Sequence, residues 1–160
     1  MIKKMVCILI LIATMGGCSQ KKITKQESAF IVIKTPTMKY ADMGFITNSS
    51  STVKVDIYAA GQPLMNFEIN GMNVCMSTFK CMDKASFNEK VLSTYYDDHV
   101  LEDIFRAEPI FNGKNVKKEV DGFTQKIKKE NEYDISYTVV SNKRTFRDTI
   151  NNILIKVREQ

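Results

Sequence analysis

The 160-residue sequence has no tryptophan and a single histidine, His99. A serine hydrolase needs a nucleophile, a base and a group that orients the base, and no nucleophile-elbow motif accompanies His99. A zinc site would need about four ligands, and no cysteine lies at ligand spacing from this histidine. The seven glycines form no phosphate-binding loop. We therefore expect a protein that is not an enzyme and that holds no metal or cofactor.

The sequence also has little uninterrupted hydrophobic length. The apolar run at residues 6–15 has ten residues, whereas a membrane-spanning helix needs about 20. Lys3 and Lys4 precede the run, and Gly16-Gly17-Cys18 follows it. This arrangement resembles a bacterial lipoprotein signal with its lipobox, so we interpret residues 1–17 as a signal peptide and Cys18 as the acylated residue. A plain secretory signal or a short core helix is the alternative.

Acylation of Cys18 would fix the chain to a membrane. Each buried methylene contributes about 0.8 kcal/mol, so two or three acyl chains anchor stably. Ser19 follows Cys18, which by the enteric sorting rule indicates the periplasmic face of the outer membrane. Loss of residues 1–17 leaves 143 residues, one domain's worth, and lowers the formal charge from +5 to +3. This excess of positive charge does not indicate nucleic-acid binding, and it weakly favours contact with an anionic membrane surface.

Four cysteines are present, and two of them remain after processing and acylation. Cys7 leaves with the signal peptide and Cys18 takes lipid. Cys75 and Cys81 are then an even pair in an oxidising compartment, which predicts a disulfide that closes a short loop.

The mature chain divides into a tether and one domain. Residues 18–28 predict a tether, because the segment 20–27 is short and charged; a helical turn is the alternative there. Residues 29–160 then form a single domain. Period-two alternation predicts eight or nine strands, at residues 29–34, 38–46, 53–57, 65–69, 73–76, 123–127, 133–140, 145–149 and 150–157.

A break separates the strands at 53–57 and 65–69. Gly61 tolerates a positive φ and Pro63 lacks the N–H of a central ladder position, so a turn is predicted between the two strands. Leu64 would then be an exposed apolar side chain at a loop tip. By itself, a single surface leucine carries no functional meaning.

Helical periodicity replaces the strand pattern at Ser86. Residues 86–89 match a capping box, and apolar residues recur at helical spacing as far as Tyr95. A second short helix is predicted to end before Pro109. Its apolar stripe consists of Val100, Leu101, Ile104 and Phe105. The acidic residues between and on these helices (Asp97, Asp98, Glu102 and Asp103) suit capping and solubility. Residues 110–122 are interpreted as a mobile basic loop or hairpin.

This order of elements predicts an α+β fold: an antiparallel curved sheet, or half-barrel, with two short helices as a lid over its open side. The alternation then selects the residues that would line the space between sheet and lid, either as a packed core or as an acyl-binding cavity. They are Val55, Ile57, Phe67, Ile69, Val91, Leu101, Ile104, Phe105, Tyr137 and Ile155.

The chain resembles the LolB family of outer-membrane lipoproteins over roughly residues 38–160. Four features carry the resemblance in a shared order: the lipobox Cys18; the strand followed by Gln62-Pro63-Leu64; the leucine, aromatic and proline spacing of residues 101–109; and the late strands around 133–137.

The resemblance implies an eleven-stranded half-barrel with a helical lid and an apolar cavity for acyl chains. It also implies a protruding, membrane-inserting loop, here Pro63, Leu64 and Met65, whose leucine pushes the cargo's lipid into the bilayer. The expected activity is to accept lipoproteins from a LolA-type periplasmic carrier and to help insert them in the outer membrane, as a monomer whose partners are lipid acyl chains and the membrane surface. The alternative is an envelope assembly lipoprotein with a packed core, acting through protein contacts around the basic region 114–129.

Overall fold

The computed structural model describes residues 24–77 and 80–160. The predicted signal peptide and the predicted lipidation site Cys18 lie outside these residues. Eleven strands in the described part of the chain form one antiparallel sheet in the order β6-β5-β4-β3-β2-β1-β11-β10-β9-β8-β7. The strands are β1 Lys25–Lys34, β2 Lys39–Asn48, β3 Thr52–Ala59, β4 Gln62–Asn70, β5 Asn73–Met76, β6 Lys80–Asp83, β7 Val116–Glu119, β8 Gly122–Lys129, β9 Tyr133–Val140, β10 Lys143–Asp148 and β11 Ile153–Glu159.

Alternating apolar residues explain why the strands share one buried face, here called the inner face. In β1, Ala29, Ile31 and Ile33 are buried, and the residues between them are not. Ile31 lies opposite Val157 of β11, which is also buried. Because side chains alternate across a strand, this register puts the apolar sets of neighbouring strands on one side of the sheet. The α+β architecture with an open antiparallel sheet is therefore as predicted.

The strand bounds differ from the prediction mainly at element ends. β1 begins at Lys25, so the last residues of the predicted tether belong to the sheet. The region predicted as a basic loop or hairpin contains a short 3-10 turn, Phe111–Gly113, and then β7, which pairs with β8. The hairpin interpretation is the one that the structure shows. The predicted strand at 73–76 is observed as β5. β6 and β7 are not among the strands predicted from alternation; each is only four residues long, so alternation alone gives little signal for them.

Two short helices connect β6 to β7, which are the two opposite edges of the sheet. The first, α1, spans Lys84–Val91, and the second, α2, spans Val100–Arg106. A segment that leaves one edge and returns to the opposite edge has to cross the sheet. The buried apolar residues of both helices join the single hydrophobic core cluster of the sheet.

The predicted capping box at Ser86 is wrong, because the cap of α1 lies three residues earlier. Asp83 is the N-cap, and its carboxylate accepts hydrogen bonds from the Ser86 backbone N–H at 2.8 Å and from the Ser86 hydroxyl at 2.7 Å. Aspartate is among the preferred N-cap residues because its side chain satisfies a free N–H of the first turn. These bonds hold the pKa of Asp83 below its usual value.

The predicted apolar stripe of α2 is confirmed. Val100, Leu101, Ile104 and Phe105 are buried. The helix ends at Ala107, which has φ 59° and adopts the left-handed conformation, before Pro109 is reached. This is a common way for a helix to end, since the left-handed residue lets the last carbonyls find N–H partners.

Candidate functional site

The candidate site is the interface between the two helices and the inner face of the sheet. All ten residues predicted to line this space are buried, with exposures between 0% and 7%, and all belong to one core cluster. Phe67 of β4 meets Phe87 of α1 edge to face, with ring centroids 6.3 Å apart. The structure therefore brings the predicted residues together, and in this conformation protein side chains fill the space between them.

A buried arginine on the sheet holds α2. Arg144 of β10 is 4% exposed, and its Nη1 donates a hydrogen bond to the Phe105 carbonyl at 2.6 Å. Its Nη2 forms ion pairs with Glu27 of β1 and Glu159 of β11. A buried charge needs such partners, because an unpaired one carries a large desolvation cost. The network therefore links three strands of the sheet to the last turn of α2.

A second set of charges joins the two helices to each other. Lys84 of α1 contacts Glu102 of α2 at 2.8 Å, and Arg106 contacts the same carboxylate at 2.9 Å. Arg106 also donates to the Ser49 carbonyl at 2.9 Å, in the connection between β2 and β3. Burial raises the pKa of Glu102, but the hydrogen bonds from Lys84 and Arg106 outweigh it and the net pKa is lowered. Glu102 therefore stays ionised at neutral pH, which keeps both ion pairs intact.

The connection between the helices is fixed to the sheet by a buried tyrosine. The Tyr96 hydroxyl donates to the Asp148 carboxylate at 2.5 Å. Asp148 also accepts from the backbone N–H groups of Asp134 at 3.1 Å and Ile150 at 3.0 Å. Burial raises the pKa of Tyr96, so its hydroxyl remains a donor. Both ends of the helical segment and its middle are thus attached to the sheet.

Among the titratable residues of α2, Asp103 is the one whose pKa lies far from its ordinary value. Burial, followed by the nearby carboxylates Asp97, Glu108 and Glu102, raises its pKa to about 7. His99 precedes α2 as its N-cap residue and makes no side-chain capping bond. Among the residues that the structure describes, no three His, Cys, Asp or Glu side chains are grouped so that they could hold a metal ion.

The prediction that Pro63, Leu64 and Met65 form a loop is wrong. The turn consists of Ala60 and Gly61, with φ values of 49° and 79°, and Ala59 pairs with Gln62 on either side of it. Positive φ at both central residues is what a tight type I′ hairpin requires. Pro63, Leu64 and Met65 therefore belong to strand β4, not to a loop.

The three residues differ in their surroundings. The β3–β4 register shifts between Ile57 and Tyr58: Ile57 lies opposite Met65, and Tyr58 lies opposite Pro63. Leu64 is thus the extra residue of a β-bulge, and it is 46% exposed. Met65 packs against the core cluster. Only Pro63 and Leu64 of the predicted set are exposed to solvent.

The predicted disulfide lies at one edge of the sheet. Cys75 of β5 and Cys81 of β6 are directly opposite in the register, and their sulfurs are bonded at 2.00 Å. The cross-link joins the edge strand to its neighbour immediately before α1 begins.

Sequence reasoning missed the residues that attach the helices. Arg144 lies at an inward position of β10, between the outward residues Lys143 and Thr145. Charged residues occupy both faces of this strand, so alternation does not identify the inward arginine. Asp83 was missed because Ser86 offers a stronger local motif.

The described part of the chain contains no helix long and apolar enough to cross a membrane. A scan against protein-family models found no match, and a search of curated proteins found no significant match.

Proposed function

We propose that this protein is a membrane-anchored factor that binds lipoproteins, accepts them from a LolA-type periplasmic carrier and helps insert them in the outer membrane. One observation supports it above the others. The helical segment runs from β6 to β7, the two outer edges of the sheet, and buries its apolar residues on the inner face between them. The eleven-strand count is also the number that the LolB resemblance implies.

In this proposal the helices act as a lid. The core residues of the lid and of the sheet fill the interior while no cargo is bound, and acyl chains replace the lid side chains when it lifts. Each methylene transferred to water would cost about 0.8 kcal/mol, so an acyl chain has to pass from one apolar site to another. Besides its buried apolar side chains, the helical segment is attached by the polar groups of Arg144, Tyr96 and Arg106. The buried Gln125 of β8 also bonds the backbone N–H and carbonyl of Ile110 after α2. Opening of the lid would have to break the bonds of this limited set that lie on its path.

Leu64 is proposed to take part in insertion from its bulge near the end of the β3–β4 hairpin. Its side chain is exposed, so a change there should spare the fold. The bulge interrupts the regular ladder and presents the side chain away from the core.

Binding is tested with a soluble Cys18→Ala protein and a fluorescent fatty-acid probe. Saturable binding at one site per chain supports the proposal. Amide hydrogen exchange should then accelerate in α1 and α2 on binding and stay unchanged in β1 and β11, because only the lid moves. Absence of saturable binding would overturn it.

Insertion is tested in a transfer assay with a lipoprotein-loaded carrier and liposomes. Leu64→Glu should still take up cargo but fail to insert it. Met72→Glu is the matched control, since Met72 is 79% exposed and lies in the turn between β4 and β5. Equal insertion by both variants would remove Leu64 from the mechanism.

A second candidate function is an envelope assembly lipoprotein that acts through protein contacts. The filled interior favours it, since the ten predicted cavity residues are at most 7% exposed. Such a protein would bind no probe. Enlarging an apolar side chain in its interior would also destabilise it, as overpacking does in any packed core.

A further inference from the structure

The outer face of the sheet, opposite the core, carries apolar side chains on strands β1 to β4. Phe30 of β1 lies directly opposite Met43 of β2. Phe45 of β2 meets Tyr58 of β3 edge to face, with ring centroids 6.0 Å apart. Met43 and Phe45 are each 41% exposed, and Leu64 of β4 is 46% exposed. We call these five residues the apolar patch; exposed apolar groups that share one face mark an interaction surface.

The outer face of the neighbouring strands β8 to β11 is basic. Alternation with buried residues places six cations there, and we call them the basic patch: Lys126, Lys128, Lys143, Arg147, Lys156 and Arg158. In these four strands a single acidic residue, Asp134, points outward, and it pairs with Lys128 at 3.4 Å. The other five cations have no ion pair within residues 24–77 and 80–160.

The two patches meet where β1 pairs with β11. Phe30 lies opposite Arg158, and Val32 lies opposite Lys156. The apolar and basic residues therefore form one continuous surface. A surface with cations beside apolar and aromatic side chains suits the boundary of a bilayer, where phosphate groups lie beside acyl chains.

We propose that the outer face of the sheet binds the surface of an anionic lipid bilayer. The basic patch contacts headgroup phosphates, and the apolar patch enters the boundary between headgroups and acyl chains. Charge complementarity carries this assignment: on β8 to β11 five cations that are unpaired within the described part of the chain face outward, and the one outward acid there is paired with Lys128. On β3 and β4 the outward acids are Asp56, opposite Phe45, and Glu68, which is paired with Lys54.

The short distance from the predicted lipidation site to this face also supports the assignment. Residues 18–24 extend at most roughly 25 Å. They precede β1, a central strand that borders both patches.

This inference goes beyond the proposed function and does not depend on lipid binding inside the protein. It also assigns an orientation, because the outer face lies on the membrane and the helices then face away from it. Cargo would reach the helical side from the periplasm, while Leu64 stays at the membrane surface.

The test uses the full mature chain with Cys18→Ala, so that no acyl anchor contributes. Co-sedimentation is measured with phosphatidylcholine vesicles that contain either no phosphatidylglycerol or about 30 mol% of it. The protein should bind the anionic vesicles and not the neutral ones, and binding should weaken as salt rises. Failure to bind anionic vesicles at low salt would overturn the proposal.

Two double variants distinguish binding through the basic patch from attraction by net charge alone. Lys156→Glu with Arg158→Glu should weaken binding at least tenfold, since each cation near an anionic surface contributes about fivefold. Lys90→Glu with Lys114→Glu makes the same charge change at exposed residues outside the outer face, and it should weaken binding less than twofold. Equal effects would show simple net-charge attraction and overturn the proposal.

The apolar patch is tested with Phe45→Ser, which should weaken binding several-fold and leave the melting temperature near that of the parent. Two other results would assign the surface differently. If the protein is a dimer in solution and Phe45→Ser dissociates it, the outer face binds a second copy of the chain and not a bilayer. If the protein binds a polyanion such as heparin but not vesicles, the outer face binds an acidic polymer and not a bilayer. Fatty-acid probe binding should be unchanged in all these variants, so the two proposals fail separately.

Discussion

Arg144 donates a hydrogen bond to the Phe105 carbonyl at 2.6 Å and so joins strand β10 to the last turn of α2. The two residues are 39 positions apart in the chain. The same guanidinium is paired with two carboxylates from other strands. One buried side chain thus fixes the position of the helical segment relative to three strands.

Replacement of Arg144 by methionine should lower the free energy of unfolding by about 3–5 kcal/mol, because it leaves Glu27 and Glu159 without their buried partner. Urea denaturation measures the change. Arg147→Met is the matched control, since Arg147 is on the outer face of the same strand; it should change stability by less than about 0.5 kcal/mol. Similar losses in both variants would mean that the buried network adds little.

Asp103 should make stability depend on pH. The pKa of an aspartate carboxyl is ordinarily 3.8, and in the folded protein the pKa of Asp103 is about 7. Between these values the folded state binds more protons than the unfolded state, so stability falls as pH rises from about 4 to about 7. Because the side chain is partly solvated, we expect Asp103→Asn to gain only about 1–2 kcal/mol at pH 8 and nothing near pH 4. Urea denaturation across this range measures it, and the exposed Asp98→Asn should keep the parent profile.

Gly44 of β2 should tolerate no side chain. A Cβ there would lie 2.1 Å from the Asp56 carbonyl oxygen of the neighbouring strand. Gly44→Ala should therefore destabilise the protein by about 2 kcal/mol, since the backbone of β3 has to move. Gly71 has no atom within 4 Å of the added Cβ, and Gly71→Ala should have little effect on thermal unfolding. A neutral Gly44→Ala would contradict the close strand approach.

The Cys75–Cys81 disulfide should stabilise the edge of the sheet next to α1. Loss of a cross-link over so short a loop is expected to cost about 2 kcal/mol through the entropy of the unfolded chain. Thermal unfolding with and without reductant measures it. The double variant Cys75→Ala with Cys81→Ala should match the reduced parent and should not respond to reductant.

The faces of the strands were predictable from residue order alone. Val53, Val55 and Ile57 alternate with polar or amphipathic residues, and all three are buried. The apolar stripe of α2 was predictable for the same reason, since the spacing of side chains along a strand or helix is a local property. Membership in the candidate site followed from these patterns.

The position of the hairpin turn was not predictable in the same way. Pro63 and Gly61 both suggest a break, and the pairing of Ala59 with Gln62 decides that the turn is Ala60-Gly61. That pairing places Pro63 in a strand, beside a bulge that absorbs the irregular hydrogen bonding. Register depends on the partner strand, which local residues do not specify.

Local sequence patterns identified which apolar side chains of the predicted strands face the core, which stretch of the chain holds the two helices, and which cysteines pair. The folded arrangement of the strands makes β6 and β7 opposite edges of the sheet, and hence takes the helices across the inner face. It also decided that Arg144 meets Phe105 and that apolar and basic residues meet on the outer face at β1 and β11. Alternation and helical period act between neighbours in sequence, whereas strand order and buried ion pairs join residues far apart in the chain.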